Sequence, residues 1–395
     1  MTRRVAIVAS HVIQYQDPFF RLLAADPDID LTVLYCSPAG AEVYRDVDMK
    51  TTLRWDIEML SGYRYRVLRN FGFGDGYTRL INPGIVPALL GGKYDMVLFM
   101  LGWGSLTAML GIVACRAARI PLFLYGDSSF PPPEDSVARR IRAGFLRALF
   151  GLTTGFMVSG ALNADYYRHY GADPRRFFLL PWAVDNERFA AACHLAPGER
   201  DALRDRLGIA RNAVVFVFSA KLVERKDPMT LLRAFEAMKQ RDRAALLFLG
   251  DGVLREPLEA FVREHDLDAV RFAGFVNQTD LPKYYGLSDI FVLPSTYEPR
   301  GAVINEAMAC GLPVIVTDRC GSIGDIVLDG DNAFVYPAGD AATLARVIDR
   351  MAEDHALRAR MAGRSLEIIG RWSFARGVEG VKDALLWLDG GDRTP

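Results

Sequence analysis

Two glutamates, Glu298 and Glu306, bracket seven residues in the stretch YEPRGAVINEAMACG, positions 297 to 311. Pro299, Arg300 and Gly301 lead into a run with helical character, and Glu306 falls among Val303, Ile304, Ala307 and Met308. A helix facing a core is apolar at such positions, so a carboxylate there needs a reason. The preceding apolar run Ile290–Leu293 reads as a strand, which puts the helix start near Ala302 just past a strand's carboxyl end. The unpaired N–H groups and dipole of a first helical turn suit an anion such as phosphate. Gly301 lets a ligand approach the backbone closely. A carboxylate one turn beyond a bound phosphate would repel it but accepts hydrogen bonds well from a diol. Glu306 therefore fits ribose hydroxyls, and Glu298 fits the hydroxyls of a sugar beyond the phosphates. On spacing alone, a capped helix with one surface glutamate and one ion pair explains the stretch equally well.

A second constellation lies in FVFSAKLVERKDPMTLLRAF, residues 216 to 235. It reads as strand, small-residue turn and helix, with Asp227 as N-cap and Pro228 at the first helical position. Lys221 and Lys226 flank the turn, placing two cations where a diphosphate needs them. Each charge-assisted contact contributes about 1.5–3 kcal/mol. Two solvated surface lysines are the plainer alternative.

Elements must hold these groups. The 395-residue chain is long enough for two α/β domains, with 51% hydrophobic and 24% charged residues and a net charge of −1. No basic stripe carries interleaved aromatics, which argues against a nucleic-acid partner. The first half alternates apolar runs (Val5–Ala9, Leu31–Tyr35, Met96–Met100, Leu122–Tyr125, Gly155–Val158, Phe178–Leu180) with amphipathic helices. From Val214 to Tyr336 the alternation repeats. Such alternation predicts two doubly wound parallel sheets meeting near residue 186, with ligands at the carboxyl ends of strands and the natural site in the cleft between domains. Residues 37 to 92 fit this less well and read as a binding insertion.

Several features are read as bland. The stretch from Met96 to Cys115 holds no charge over twenty residues, but Gly102-Trp103-Gly104-Ser105 interrupts it, so strand, loop and helix are expected rather than a membrane span. The leader MTRRVAIVAS is too short for a signal peptide before its first strand. Five scattered cysteines without metal spacing suggest reduced, buried thiols and a cytoplasmic protein. The Asp46/Asp48, Asp266/Asp268 and Asp329/Asp331 pairs read as solvated, so no metal ligand is assigned. The helix VARRIRAGFLRALFGL, residues 137 to 152, sets Arg139, Arg140, Arg142 and Arg147 against Ile141, Phe145, Leu149 and Leu152. It is either an ordinary sheet-covering helix or one that lies on an anionic membrane surface.

Residues 214 to 340, including SAKLVERKD, FLGDGVLREPLE, RFAGFV and STYEPRGAVINEAMACGLPVIVTD, resemble the nucleotide-sugar domain of retaining family-four glycosyltransferases with the GT-B fold. HVIQYQDPFF, RWDIEML, SGYRYRVL and VSGALNADYYRHYGADPRRFFLLPWAVDNERF are similar to a bacterial subgroup associated with surface polysaccharide assembly. The resemblance implies an α/β GT-B fold of two Rossmann-like domains facing a central cleft. Residues 1–186 would bind the acceptor, 187–371 the nucleotide-sugar, and 372–395 would form a helix packing back on the first domain. It sets Lys221 at the family's phosphate-binding Arg position and Lys226 at its Lys position. Glu298 and Glu306 are its two acids, Gly301 and Ala302 the anion-binding helix start, and Phe275 and Val276 sit beside the base. The family loop usually reads Gly-Phe-Gly where this chain has Pro299-Arg300-Gly301; Arg300 either contacts phosphate or points to solvent. Asp127 replaces a His often found after the fourth strand. It orients a sugar hydroxyl or stabilises positive charge developing at the sugar's reacting carbon, or else it caps the next turn. His11, in a polar loop where the family often has glycines, is either a site residue or a hydrogen-bonded loop residue.

The implied reaction transfers a sugar with retention from a nucleoside-diphosphate sugar to a glycan or lipid-linked acceptor. The donor is a UDP-sugar or, alternatively, a GDP-sugar; no cofactor or metal takes part. Location would be cytoplasmic, with peripheral contact to the inner membrane. A GT-B-like sugar-nucleotide epimerase and a non-catalytic nucleotide-sugar binding protein are the competing readings.

Overall fold

The computed structural model describes residues 2–41, 44–46, 51–72, 79–129 and 135–390. Among these, residues of 1–44, 57–182 and 374–395 form one compact unit, and residues of 45–56 and 183–373 form a second.

The first unit is built on strands β1 (Arg3–Ala9), β2 (Ile29–Tyr35), β5 (Arg64–Val67), β6 (Met96–Met100), β7 (Leu122–Tyr125), β8 (Gly155–Val158) and β9 (Phe177–Leu179). Between β2 and β5 the chain forms β3 (Tyr44–Asp46) and β4 (Thr51–Leu53), which pair with each other. The sheet runs β5-β2-β1-β6-β7-β8-β9, and its strands pair in parallel. Its helices are α1 (Asp17–Ala25), α2 (Ile85–Gly92), α3 (Leu106–Ala118), α4 (Val137–Gly151) and α5 (Ala161–His169). Central strands are apolar throughout because both faces are covered. Ala6 and Val8 pack with Ile85, Leu89 and Ile112 on one face, while Val5 and Ile7 pack with Phe19 and Phe20 on the other. The uncharged stretch resolves as the sequence suggests. Strand β6 ends at Met100, and Ser105 caps α3 by accepting a hydrogen bond from Ala108 N at 3.1 Å. Among the described residues no helix is long and apolar enough to cross a membrane.

The second unit comprises α6 (Asn186–Ala192), α7 (Pro197–Arg206), β10 (Val214–Ser219), α8 (Pro228–Glu236), β11 (Ala244–Leu249), α9 (Arg255–Glu264), β12 (Val270–Gly274), α10 (Leu281–Leu287), β13 (Ile290–Leu293), α11 (Ala302–Ala309), β14 (Val314–Thr317), β15 (Ala333–Tyr336), α12 (Ala341–Glu353) and α13 (His355–Gly370). Its parallel sheet runs β12-β11-β10-β13-β14-β15. Asp227 caps α8 as its sequence indicates, its carboxylate accepting from Thr230 N at 3.3 Å, with Pro228 following.

The last helix, α14 (Phe374–Asp389), rejoins the first unit. Val381, Ala384 and Leu385 enter its core, and Lys382 pairs with Asp26 at 2.9 Å. Residues 45–56 cluster with the second unit, not with 1–44. The described contacts explain this. Asn277 Nδ2 donates to Arg54 O at 2.7 Å, Thr279 N donates to Asp56 Oδ1 at 3.1 Å, and the Trp55 and Phe275 rings lie 6.1 Å apart.

Candidate active site

In the second sheet β10 is flanked by β11 on one side and β13 on the other. Connections leave these two central strands in opposite directions, so the loops at their carboxyl ends diverge and open a crevice. Those loops are 220–227 and 294–301, the two constellations that stood out in the sequence. They are tied together by three kinds of contact. Thr296 N donates to Arg225 O at 3.0 Å, Arg225 Nη1 donates to Tyr297 O at 3.2 Å, and Lys226 Nζ pairs with Glu298 Oε2. The Lys226 and Glu298 side chains are 12% and 8% exposed, so neither charge is well solvated and each requires the other. Lys221 is half-buried at the head of its loop. The neighbouring Leu222 N donates to Asp251 O at 2.9 Å, knitting this loop to the one after β11. Gly250 permits that approach: a Cβ there would stand 2.0 Å from Ala220 O, at φ +130°.

The loop after β13 enters α11 through Gly301, whose φ of +71° is left-handed. A Cβ on Gly301 would meet Ile304 Cδ1 at 2.9 Å and Glu298 Cγ at 3.1 Å. Ala302 starts the helix, so its first-turn N–H groups face the loop. Glu306, in mid-helix, is wholly buried, and its Oε2 accepts from the Tyr285 hydroxyl at 2.9 Å. Residues Ile304 to Ala309 are all buried, with α6 and α13 packed on the helix. The carboxylate that the sequence assigns to a diol is thus buried in the second unit, with one of its oxygens bonded to a tyrosine.

Arg300 does not point to solvent. It is 4% exposed, and its Nη1 donates to Asp325 Oδ2 at 3.0 Å and to Gly321 O at 3.0 Å. Ser322 Oγ donates to Arg300 O. The guanidinium thus braces the segment after β14, because a buried cation needs a buried anion. Phe275 and Val276 follow β12 and are half-buried, with Trp55 against the Phe275 ring.

Asp127 belongs to the first unit. Strand β1 there is flanked by β2 and β6, so the same strand-order reversal occurs. A cavity of about 540 Å³ lies at the ends of β1, β6 and β7. Asp127 lines it with Ser10, Trp103, Tyr125, Arg142 and Trp182. The Tyr125 and Trp182 rings are stacked, 6.3 Å apart and 7° from parallel. Aromatic faces beside a carboxylate and a guanidinium suit a sugar or an anionic glycan. His11 bonds to its neighbour Ser10 (Nδ1 to Oγ, 3.0 Å), and burial lowers its pKa, so its ring is neutral at pH 7.

The fold therefore joins Lys221, Lys226, Glu298 and Gly301 around two knitted loops and sets Asp127 in a separate cavity. Sequence reading did not find Trp103, Tyr125, Trp182, Asp325 or Tyr285, since only topology unites them. Helix α4 also differs. Leu149 is buried beside Ala143, Leu146 and Phe150, whereas Ile141, Phe145 and Leu152 are exposed. Of the acidic pairs, Asp48 lies outside the described residues, Asp329 accepts from Val335 N at 2.9 Å, and Asp331 pairs with Arg364 at 2.8 Å.

Residues 199–366 match the family model described as glycosyl transferases group 1. A D-inositol 3-phosphate glycosyltransferase of Geodermatophilus obscurus is 34% identical over 224 residues, covering 54% of this chain and 48% of that protein. The lipopolysaccharide core biosynthesis glycosyltransferase LpsE of Rhizobium meliloti is 35% identical over 187 residues, covering 47% of this chain and 52% of LpsE. The chain spans about half the length of the curated relatives it matches. Several solved structures match almost end to end. Anabaena HepE in complex with UDP superposes with a TM-score of 0.75 at 18% identity, covering 98% of this chain and 100% of HepE. WaaG, a glycosyltransferase involved in lipopolysaccharide biosynthesis, gives 0.65 at 18% identity with the same coverage. The fold is the GT-B fold expected from sequence, with two parallel-sheet Rossmann-like domains.

Proposed function

We propose that this protein moves a sugar from a UDP-sugar to a glycan or lipid-linked acceptor in surface polysaccharide synthesis, a reading supported by the match of residues 199–366 to the group 1 glycosyl transferase model. The observation that carries this reading is the buried Lys226–Glu298 pair at the strand-order reversal of the second sheet. HepE is a protein solved with UDP and with UDP-glucose, which favours uridine over guanosine. LpsE favours a lipopolysaccharide-like acceptor.

In this reading Lys221, Lys226 and the first turn of α11 stabilise charge developing on the departing diphosphate. Glu298, held by Lys226, receives the hydroxyls of the donor sugar. Glu306 takes the ribose in exchange for, or alongside, the Tyr285 hydroxyl. Phe275, Val276 and Trp55 form the base site. The acceptor occupies the aromatic cavity of the first unit, where Asp127 orients a hydroxyl. The acceptor oxygen attacks from the face that the diphosphate leaves, the departing phosphate oxygen takes its proton, and configuration is retained. No metal is used.

Helix α4 supports peripheral membrane contact. Val137, Ile141 and Phe145, at helical spacing, are 72%, 68% and 44% exposed, and Arg139, Arg140 and Arg142 lie on the same helix. Each arginine near an anionic leaflet contributes about 1 kcal/mol. Sedimentation with vesicles of anionic and neutral lipid tests this; Ile141→Ser is expected to reduce binding to the anionic vesicles alone.

The test of the whole reading is incubation with a panel of UDP- and GDP-sugars, with and without lipid-linked and soluble glycan acceptors. Nucleotide release that requires acceptor is expected. A new sugar isomer formed without acceptor would identify an epimerase instead, and binding without turnover a non-catalytic binder.

A further inference from the structure

Helices α6 and α11 pack against each other, and each is closed by a cysteine, Cys193 at the end of α6 and Cys310 at the end of α11. The two cysteines meet at one carbonyl: Phe189 O accepts from Cys193 N at 3.0 Å and from Cys310 Sγ at 3.7 Å. Both line a cavity of about 340 Å³ in the second unit, together with His194, Asp289, His355 and Arg358. Cys193 Sγ lies 3.3 Å from Ala190 O and 3.9 Å from His194 Nδ1; Cys310 Sγ lies 3.7 Å from Phe189 O. This cavity is distinct from the loops assigned to the donor.

The thiolate is the reactive form of a cysteine, and its abundance follows local charge and hydrogen bonding. The Cys310 thiol, and after it the charge of His194, lower the Cys193 pKa, while burial and the Cys193 sulfur raise that of Cys310. Cys36, Cys115 and Cys320 are buried, and desolvation pushes each up to about 12. One cysteine is thus set to react and a neighbour to resolve, and a cavity admits a small oxidant.

We propose that Cys193 and Cys310 are a redox-active pair that hydrogen peroxide converts to a disulfide joining the ends of α6 and α11. The Cys193 sulfur attacks the peroxide: an S–O bond forms, the O–O bond breaks, and the departing oxygen takes the Cys193 proton as water. Cys310 then attacks the sulfenic sulfur. The S–S bond forms, the S–O bond breaks, and the leaving hydroxide takes the Cys310 proton as a second water. The two thiols lose two electrons and two protons, and the peroxide is reduced to water.

The test is a peptide map of the full chain after hydrogen peroxide treatment and alkylation of remaining thiols. Trypsin places Cys193 in residues 189–200 and Cys310 in residues 301–319, each with no second cysteine. A dithiothreitol-sensitive cross-link between these peptides is expected, with Cys36, Cys115 and Cys320 alkylated only after denaturation. Cys310→Ser is expected to leave Cys193 as a sulfenic acid trapped by dimedone, and Cys193→Ser to leave Cys310 reduced. Recovery of both wild-type peptides fully alkylated after peroxide overturns the proposal, and so does a Cys193 or Cys310 link to any other cysteine. The wild-type map decides the matter even if a variant fails to fold.

Discussion

Lys226 and Glu298 stand 72 residues apart in the chain and form a buried ion pair across the loops that follow β10 and β13. The pair fixes the distance between two loops that would otherwise diverge, and it holds a cation and a carboxylate at one crevice.

Lys226→Ala leaves the Glu298 carboxylate buried without its cation, which costs about 3–5 kcal/mol. A lowered Tm is expected, with turnover falling about 10²-fold, the scale for losing one preorganised charge-stabilising group. Donor KM should change much less. Lys226→Met combined with Glu298→Gln removes both charges and is expected to recover Tm but not turnover. Wild-type turnover in Lys226→Ala would contradict the electrostatic role.

Arg300 is expected to matter for folding and not for phosphate. Asp325→Ala strands its guanidinium, which is 4% exposed, and should lower stability by about 3–5 kcal/mol. Replacing both partners with apolar residues, Arg300→Met with Asp325→Leu, should restore most of that loss in a denaturant titration. The double variant should also keep its affinity for UDP. A large loss of UDP affinity in a folded double variant would return Arg300 to the phosphate.

Gly301→Ala places a Cβ 2.9 Å from Ile304 Cδ1 at a left-handed φ of +71°. A cost of about 1–3 kcal/mol is expected from the strained backbone, together with weaker UDP binding as the start of α11 shifts. Gly144→Ala, mid-helix in α4 with open space around its Cβ position, is the control expected to be neutral or mildly stabilising.

Trp103→Ala should separate the two substrates. Trp103 lines the first-unit cavity, so acceptor KM is expected to rise about tenfold, near 1.4 kcal/mol, while donor KM holds. Equal shifts in both would place the acceptor elsewhere.

The strands were legible where burial on both faces makes them continuous apolar runs: Met96–Met100, Val214–Ser219 and Ile290–Leu293 match the structure residue for residue. Strand β5 was not legible, because its four residues Arg64–Val67 are all exposed at a sheet edge and carry no apolar pattern. Helix α7, PGERDALRDR, is mostly charged and hides the same way; its Arg204 is buried against the Leu287 and Ala213 carbonyls. The candidate donor loops were visible because charge, glycine and strand ends coincide locally. Arg300–Asp325, Tyr285–Glu306 and the Trp103–Tyr125–Trp182 cavity were not, since each joins residues that only the strand order brings together.

A nucleoside diphosphate is expected to bind between the loops after β10 and β13. Backbone hydrogen exchange with and without UDP tests it directly. Protection is expected in residues 219–227 and 294–306, and it should fade in Lys226→Ala. Protection confined to other segments, or UDP binding that leaves both loops unchanged, would contradict it.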